Sequence, residues 1–241
     1  MIHDPEKKLL LLLPPKTGSS SLRSLFGSML IQRQNYWPKT IVATGLPDEP
    51  LRIKIAVMIR AHVRYEEISQ ILPDINLDEY IVYSFYREPV ARFMSTFKYM
   101  QHQILTDLNV KAQSGDAKEL RMVYKALYND EDITRDPHSI IVDDIISTIE
   151  KNILDAPMLD LFLPQTLYLT DKVTLLNFDD FENNAAMLLE AFGQDINTPI
   201  PKHNDTNSAD YLSDLTEEQV TKIKQIYKDD YEFFESRNIT F

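Results

Sequence analysis

A chain of 241 residues with 44% hydrophobic content holds enough apolar material for one substantial core. Its formal net charge of −12 excludes bulk attraction to nucleic acid, so an anionic ligand has to be met by a local basic site. The absence of cysteine removes disulfides, thiolate metal sites and cysteine nucleophiles together.

The segment from His3 to Lys8 reads as a short charged lead into a strand. Leu9 to Leu13 is a continuous apolar run bounded by prolines, the pattern of a strand covered on both faces. It is far shorter than the about 20 apolar residues of a membrane-spanning helix, and no cleavage site follows it. A soluble protein without a signal peptide is therefore expected. Residues 19 to 31 read as a helix, with Leu22, Leu25, Phe26 and Met29 at helical spacing.

Arg52 to Ile59 is a second candidate strand, and Ala61 to Leu72 a loop that turns helical. Tyr80 to Tyr86 is aromatic and β-branched, a strand that meets Arg87-Glu88-Pro89, with Pro89 suited to a first helical turn. The helix beyond buries Val90, Phe93, Met94 and Phe97 and leaves Arg92, Ser95 and Tyr99 on another face. From about 104 to 163 the chain reads as mostly helical, broken at Ser114-Gly115-Asp116 and restarting at Asp136-Pro137, either an acceptor-side lid or plain scaffold. Val173 to Phe178 is a further strand, Phe181 to Phe192 a helix closed by Gly193, and Thr216 with Gln219 a capping box for the last helical stretch. Strands alternating with helices predict an α/β fold, a P-loop-type central parallel sheet flanked by helices, as one domain over residues 1–241.

Two strand-end motifs carry the chemistry: Pro15-Lys16-Thr17-Gly18-Ser19-Ser20-Ser21, and Arg87-Glu88-Pro89 with Arg92 and Ser95. A hydroxyl-rich turn between strand and helix offers backbone N–H groups to an anion. The order of the first motif, lysine before glycine, departs from the G-x-x-x-x-G-K-[ST] loop that cradles a nucleotide triphosphate. Together the motifs resemble the 5′-phosphosulfate and 3′-phosphate motifs of sulfotransferases that use 3′-phosphoadenosine-5′-phosphosulfate. The resemblance is closest to the carbohydrate branch that contains heparan sulfate 2-O-sulfotransferase. Ala61-His62-Val63, Leu163-Pro164-Gln165-x-x-Tyr168-Leu169, Leu176-Asn177-Phe178-Asp179-Asp180-Phe181 and Ile226-Tyr227-x-x-Asp230-Tyr231-x-x-Phe234 extend it over most of the chain, with 104 to 155 matching least.

The resemblance implies that Lys16 stabilises the leaving group and that Lys16, Thr17, Gly18, Ser19, Ser20 and Ser21 hold the 5′ side of the donor. It implies that Arg87 and Ser95 bind the 3′-phosphate and that His62 is the general base. Arg92 is either a third phosphate contact or a solvated helix arginine, and Glu66 either an orienter of His62 or a solvated glutamate. The chain departs from that branch at Arg60, where the branch has a second histidine, which puts acceptor identity in question more than chemistry. Lys202 and Asn204 lie in a loop that corresponds to a segment near the nucleotide. His102 and His138 read as structural or surface residues.

Lys118, Arg121 and Lys125 share a helix face, either a basic strip for an anionic glycan or a solvated charged face. No histidine pair has metal-ligand spacing, and no metal is expected. The expectation is sulfuryl transfer to a hydroxyl acceptor, a glycan or smaller carbohydrate, releasing adenosine 3′,5′-bisphosphate. The alternatives are a P-loop small-molecule kinase and a non-catalytic nucleotide-binding module. Animal members of the branch carry an N-terminal membrane anchor, so a bacterial cytoplasmic enzyme is expected, or a Golgi-luminal one if the chain is trimmed.

Overall fold

The computed structural model describes residues 1–27, 62–130, 132, 134–136, 139–151, 159–201 and 213–241. The candidate strand 52–59, Arg60, Ala61, His138 and the loop 202–204 lie outside the described residues. The chain divides into two compact units, residues 1–87 with 165–205 and residues 88–164 with 206–241.

The first unit is built on a four-stranded sheet in the order β1 (Ile2–Asp4), β2 (Leu9–Leu12), β3 (Ile81–Tyr86), β4 (Val173–Asn177). β2, β3 and β4 are parallel, as expected of α/β connections. β1 is antiparallel to β2, so the sheet is mixed, and the charged lead into β2 is itself an edge strand. Asp4 makes the turn between them: its carboxylate accepts the N–H groups of Glu6 and Lys7, each at 3.0 Å. Three residues of mixed polarity carry little strand signal, and it is the Asp4 turn that folds them back on β2.

All four residues of β2 are buried, as the leucine run requires. Leu9, Leu11 and Leu13 share one face and pack with Leu22 and Phe26 of the helical segment after the first motif, and with Leu188, Leu189 and Phe192. That segment is α1 (Ser19–Leu25); the rest of the predicted helix, from residue 28, lies outside the described residues. Leu188 and Leu189 belong to α7 (Phe181–Ala191), which Gly193 closes at φ 69°. α1 and α7 thus lie on one sheet face, with α1 held against the C-terminal end of β2.

The second unit is helical. α3 (Pro89–Tyr99) runs through a π turn, Met100–Ile104, into α4 (Leu105–Gln113), and Gly115 at φ 100° makes the predicted break before α5 (Lys118–Tyr128). α6 spans Val142–Glu150, six residues later than the expected restart at Asp136. The Asp144 carboxylate caps it by accepting the Ile141 N–H at 3.0 Å, so that carboxylate and not the Asp-Pro pair sets the start. α8 (Glu217–Ile226) opens with the predicted reciprocal cap, Gln219 N–H to Thr216 Oγ1 at 3.2 Å and Thr216 N–H to Gln219 Oε1 at 3.0 Å. α9 (Lys228–Glu235) ends the unit. A short helix of the first unit, α2 (Ile68–Ile71), follows the 3-10 turn Tyr65–Glu67.

Candidate active site

The turn after β2 is shaped by what an L-residue resists. Lys16 sits at φ 65° and Gly18 at φ 82°, both left-handed, a conformation that costs a residue with a Cβ about 1–2 kcal/mol. A Cβ on Gly18 would also lie 2.4 Å from Cε2 of Phe181, so only glycine fits. Thr17 is fully buried, and its Oγ1 donates to the Pro14 carbonyl at 2.9 Å. That hydroxyl proton is committed to the turn itself. Ser19, partly buried, and Ser20, exposed, open α1, with Ser21 buried behind them. The first helical bond of the described segment is Leu22 N–H to Gly18 O at 3.0 Å, so the N–H groups of residues 19 to 21 precede it.

Arg87 follows the last residue of the neighbouring strand β3 and is buried, with its guanidinium over the Phe178 ring, 4.6 Å from the centroid. Phe178 begins the 3-10 turn Phe178–Asp180 after β4, where the Asn177 side chain caps the Asp179 N–H at 2.9 Å. The Phe178 and Phe181 rings lie 5.5 Å apart, and Phe181 also packs on Phe85 at 5.0 Å. An unbroken path of contacts therefore joins Gly18 through Phe181 and Phe178 to Arg87. The two strand-end corners are neighbours on one aromatic plug. Both rings fall in the Leu176–Phe181 segment that carries the resemblance, but the sequence assigns them no role, because their partners come from distant parts of the chain.

Lys16 responds to that proximity. Burial and, second, the positive charge of Arg87 lower its pKa from 10.5 to about 8. Two cations held beside each other in a desolvated corner favour a ligand that brings several negative charges.

His62 stands close by. Its Nδ1 lies 2.5 Å from the Leu13 carbonyl oxygen, the residue that joins β2 to the lysine turn. A carbonyl can only accept, so Nδ1 carries the proton and Nε2 keeps a lone pair. Burial lowers the His62 pKa to about 3, opposed by the Leu13 hydrogen bond and reinforced by Arg23 and Lys16. The ring is neutral, leaves Nε2 as its acceptor nitrogen, and lies within reach of the charge of Lys16. Glu66 is exposed, and its neighbour Glu67 caps the Arg64 N–H at 2.9 Å; the orienting partner of His62 is the Leu13 carbonyl, not Glu66.

Ser95 and Arg92 belong to α3 in the second unit. Ser95 is buried. Arg92 is fully buried, which overturns the reading of a solvated helix arginine. Its guanidinium donates to the carbonyls of Leu161 at 3.2 Å and Leu163 at 2.7 Å and lies 5.1 Å from the Tyr227 ring centroid. It ties the 3-10 turn Leu159–Phe162 to α3, and Tyr227 closes the same packing by donating to the Phe162 carbonyl at 2.6 Å. Glu88 caps α3, accepting the Ala91 N–H at 2.6 Å and the Tyr231 hydroxyl. Lys118, Arg121 and Lys125 line a 450 Å³ cleft with Gly115, Asp116, Ala117 and Met122. His102 is exposed in the π turn. Among the described residues no group of three or more acidic or histidine side chains is placed to hold a metal ion.

No curated protein and no solved structure matches the chain. The sulfotransferase family matches it over residues 1–235, a span that takes in both strand-end corners, the aromatic plug between them and His62. With nearly the whole chain matched, the protein belongs to the sulfotransferase family.

Proposed function

We propose that the chain transfers the sulfuryl group of 3′-phosphoadenosine-5′-phosphosulfate to a hydroxyl of a carbohydrate. The observation that supports this is the pairing of Lys16 and Arg87 at adjacent parallel strand ends with a neutral His62 beside them. The donor carries two separated phosphate groups, and ligands of such sheets bind at the carboxyl ends of the strands. In this reading Arg87 takes the 3′-phosphate, the role that the resemblance also gives Ser95, while the N–H groups of residues 17 to 21 and the serine hydroxyls at the start of α1 take the 5′-phosphosulfate.

The acceptor oxygen attacks sulfur in line and its proton goes to Nε2 of His62. The S–O bond to the bridging oxygen breaks, and the electron pair leaves with adenosine 3′,5′-bisphosphate. Charge grows on the bridging oxygen as that bond lengthens, so an ammonium at Lys16 stabilises the transition state more than the ground state. A bound donor, rich in negative charge, also offsets the smaller part of the His62 depression that Arg23 and Lys16 add to burial, and so raises its basicity.

The cleft lined by Lys118, Arg121 and Lys125 supports an acceptor that carries acidic groups. On that reading Arg121→Glu raises KM for an acidic oligosaccharide several-fold and leaves a neutral one unchanged. No helix among the described residues is long and apolar enough to cross a membrane; a cytoplasmic location is part of the proposal. Incubation with sulfur-labelled donor and a panel of glycans, lipids and small alcohols tests the reading. Transfer of label to a sugar hydroxyl, abolished in Lys16→Ala and His62→Ala, is expected. Donor consumption with ATP in place of the phosphosulfate would overturn it.

A further inference from the structure

Arg87 occupies a position where the sheet has run out. β3 ends at Tyr86, so the N–H and C=O of the next residue are buried beyond the ladder that pairs the strand. Buried backbone groups need partners, and here one side chain supplies both. Gln165, itself fully buried, accepts the Arg87 N–H on Oε1 at 3.0 Å and donates from Nε2 to the Arg87 carbonyl at 2.8 Å. This is the two-bond exchange of a strand pair made by a single amide, across 78 residues of sequence. Only glutamine does it at this reach: glutamate has no donor, methionine has neither group, and asparagine is a methylene short. Phe178 meets the guanidinium of the same residue, so backbone and side chain of Arg87 are each fixed from the segments that flank β4.

We propose that Gln165 is the positioning residue of the anion corner: by holding both backbone groups of Arg87 it aims the guanidinium fork at the donor's phosphate. A fork fixed before binding loses less freedom on binding, so the clamp acts on nucleotide affinity and not on the transfer step. The identity of that ligand rests on the sulfotransferase reading; the clamp itself rests on the two hydrogen bonds.

The test is a double-mutant cycle on adenosine 3′,5′-bisphosphate binding by calorimetry, with Gln165→Met, Arg87→Ala and the double variant. Gln165→Met is expected to weaken binding about tenfold, from two lost buried hydrogen bonds and a freed fork, and to raise donor KM with kcat nearly unchanged. In the Arg87→Ala background the same substitution is expected to change binding less than about twofold. Equal losses in both backgrounds, or unchanged binding in Gln165→Met, would overturn the proposal. Gln165→Glu, which keeps the acceptor, serves if Gln165→Met does not fold, and a loss that persists without Arg87 again counts against the clamp. A wild-type protein that fails to bind the nucleotide removes the sulfotransferase reading and this inference together, whereas binding that ignores Gln165 removes the inference alone.

Discussion

At the scale of single residues the corner is an electrostatic arrangement whose state depends on pH. In the free protein Lys16 titrates near pH 8, because burial and Arg87 both favour the neutral amine. A bound polyanion favours the ammonium, so above about pH 8 binding has to draw in a proton and affinity falls by up to tenfold per pH unit. Nucleotide titrations between pH 7 and 9.5 are expected to show that fall, and Lys16→Arg, which stays charged, is expected to flatten it. His62 gives the opposite kind of evidence, on stability. Its pKa is near 6.5 unfolded and about 3 folded, so between those values the unfolded chain binds the extra proton and stability drops as pH falls. Between pH 6.5 and 5 this amounts to about 2 kcal/mol at most. Denaturant unfolding at the two pH values is expected to show a smaller loss in His62→Asn than in the wild type. Turnover of His62→Asn is expected to fall about 10²- to 10⁴-fold, the usual worth of a positioned base.

At the scale of elements, the two turns differ in what they ask of the chain. The first depends on a backbone that only Gly18 supplies: Gly18→Ala combines a left-handed φ with overlap on Phe181. A loss of about 2 kcal/mol or more is expected, visible as a fall in Tm of about 4–8 °C by calorimetry. α3 depends on an arginine whose charge faces carbonyls, and Arg92→Met, which leaves the Leu161 and Leu163 oxygens without it, is expected to destabilise by about 1–3 kcal/mol. These elements also mark what sequence could tell. Leu9 to Leu13, Tyr80 to Tyr86 and the Thr216–Gln219 cap were legible because strand burial, β propensity and capping are set by neighbours along the chain. β1 was not, being an edge of three residues whose pairing comes from the Asp4 turn. Arg92 misled because helical periodicity sorts apolar from polar and gives no sign that a polar face meets buried carbonyls. Gln165, Phe178 and Phe181 act on residues far along the chain, and nothing local to them announces it.

At the scale of the whole molecule, an acidic protein of net charge −12 can meet the proposed polyanion only where its cations are concentrated, and the corner of Lys16 and Arg87 is such a concentration. On the proposed reading, this separates the protein from a phosphoryl-transferring one of similar topology. A nucleotide-triphosphate loop closes on Lys-Ser or Lys-Thr so that a hydroxyl can hold magnesium. Here Thr17 follows Lys16 but is fully buried in the turn, and the glycine and the serines come after the lysine instead of before it. On the proposed reading, charge on the ligand is met by side-chain cations just past the ends of two neighbouring strands. Thermal unfolding with added ligand reads this directly, since a ligand at free concentration L that binds only the folded state stabilises it by RT ln(1 + L/Kd) and raises Tm accordingly. Adenosine 3′,5′-bisphosphate at about 100 times its Kd is expected to add about 2.7 kcal/mol and to raise Tm by several degrees, in chelator as well as in magnesium. ATP with magnesium at the same concentration is expected to leave Tm where it was. A larger shift with magnesium-ATP, lost in chelator, would mean that the corner is built for phosphoryl transfer and that Lys16 serves a different leaving group.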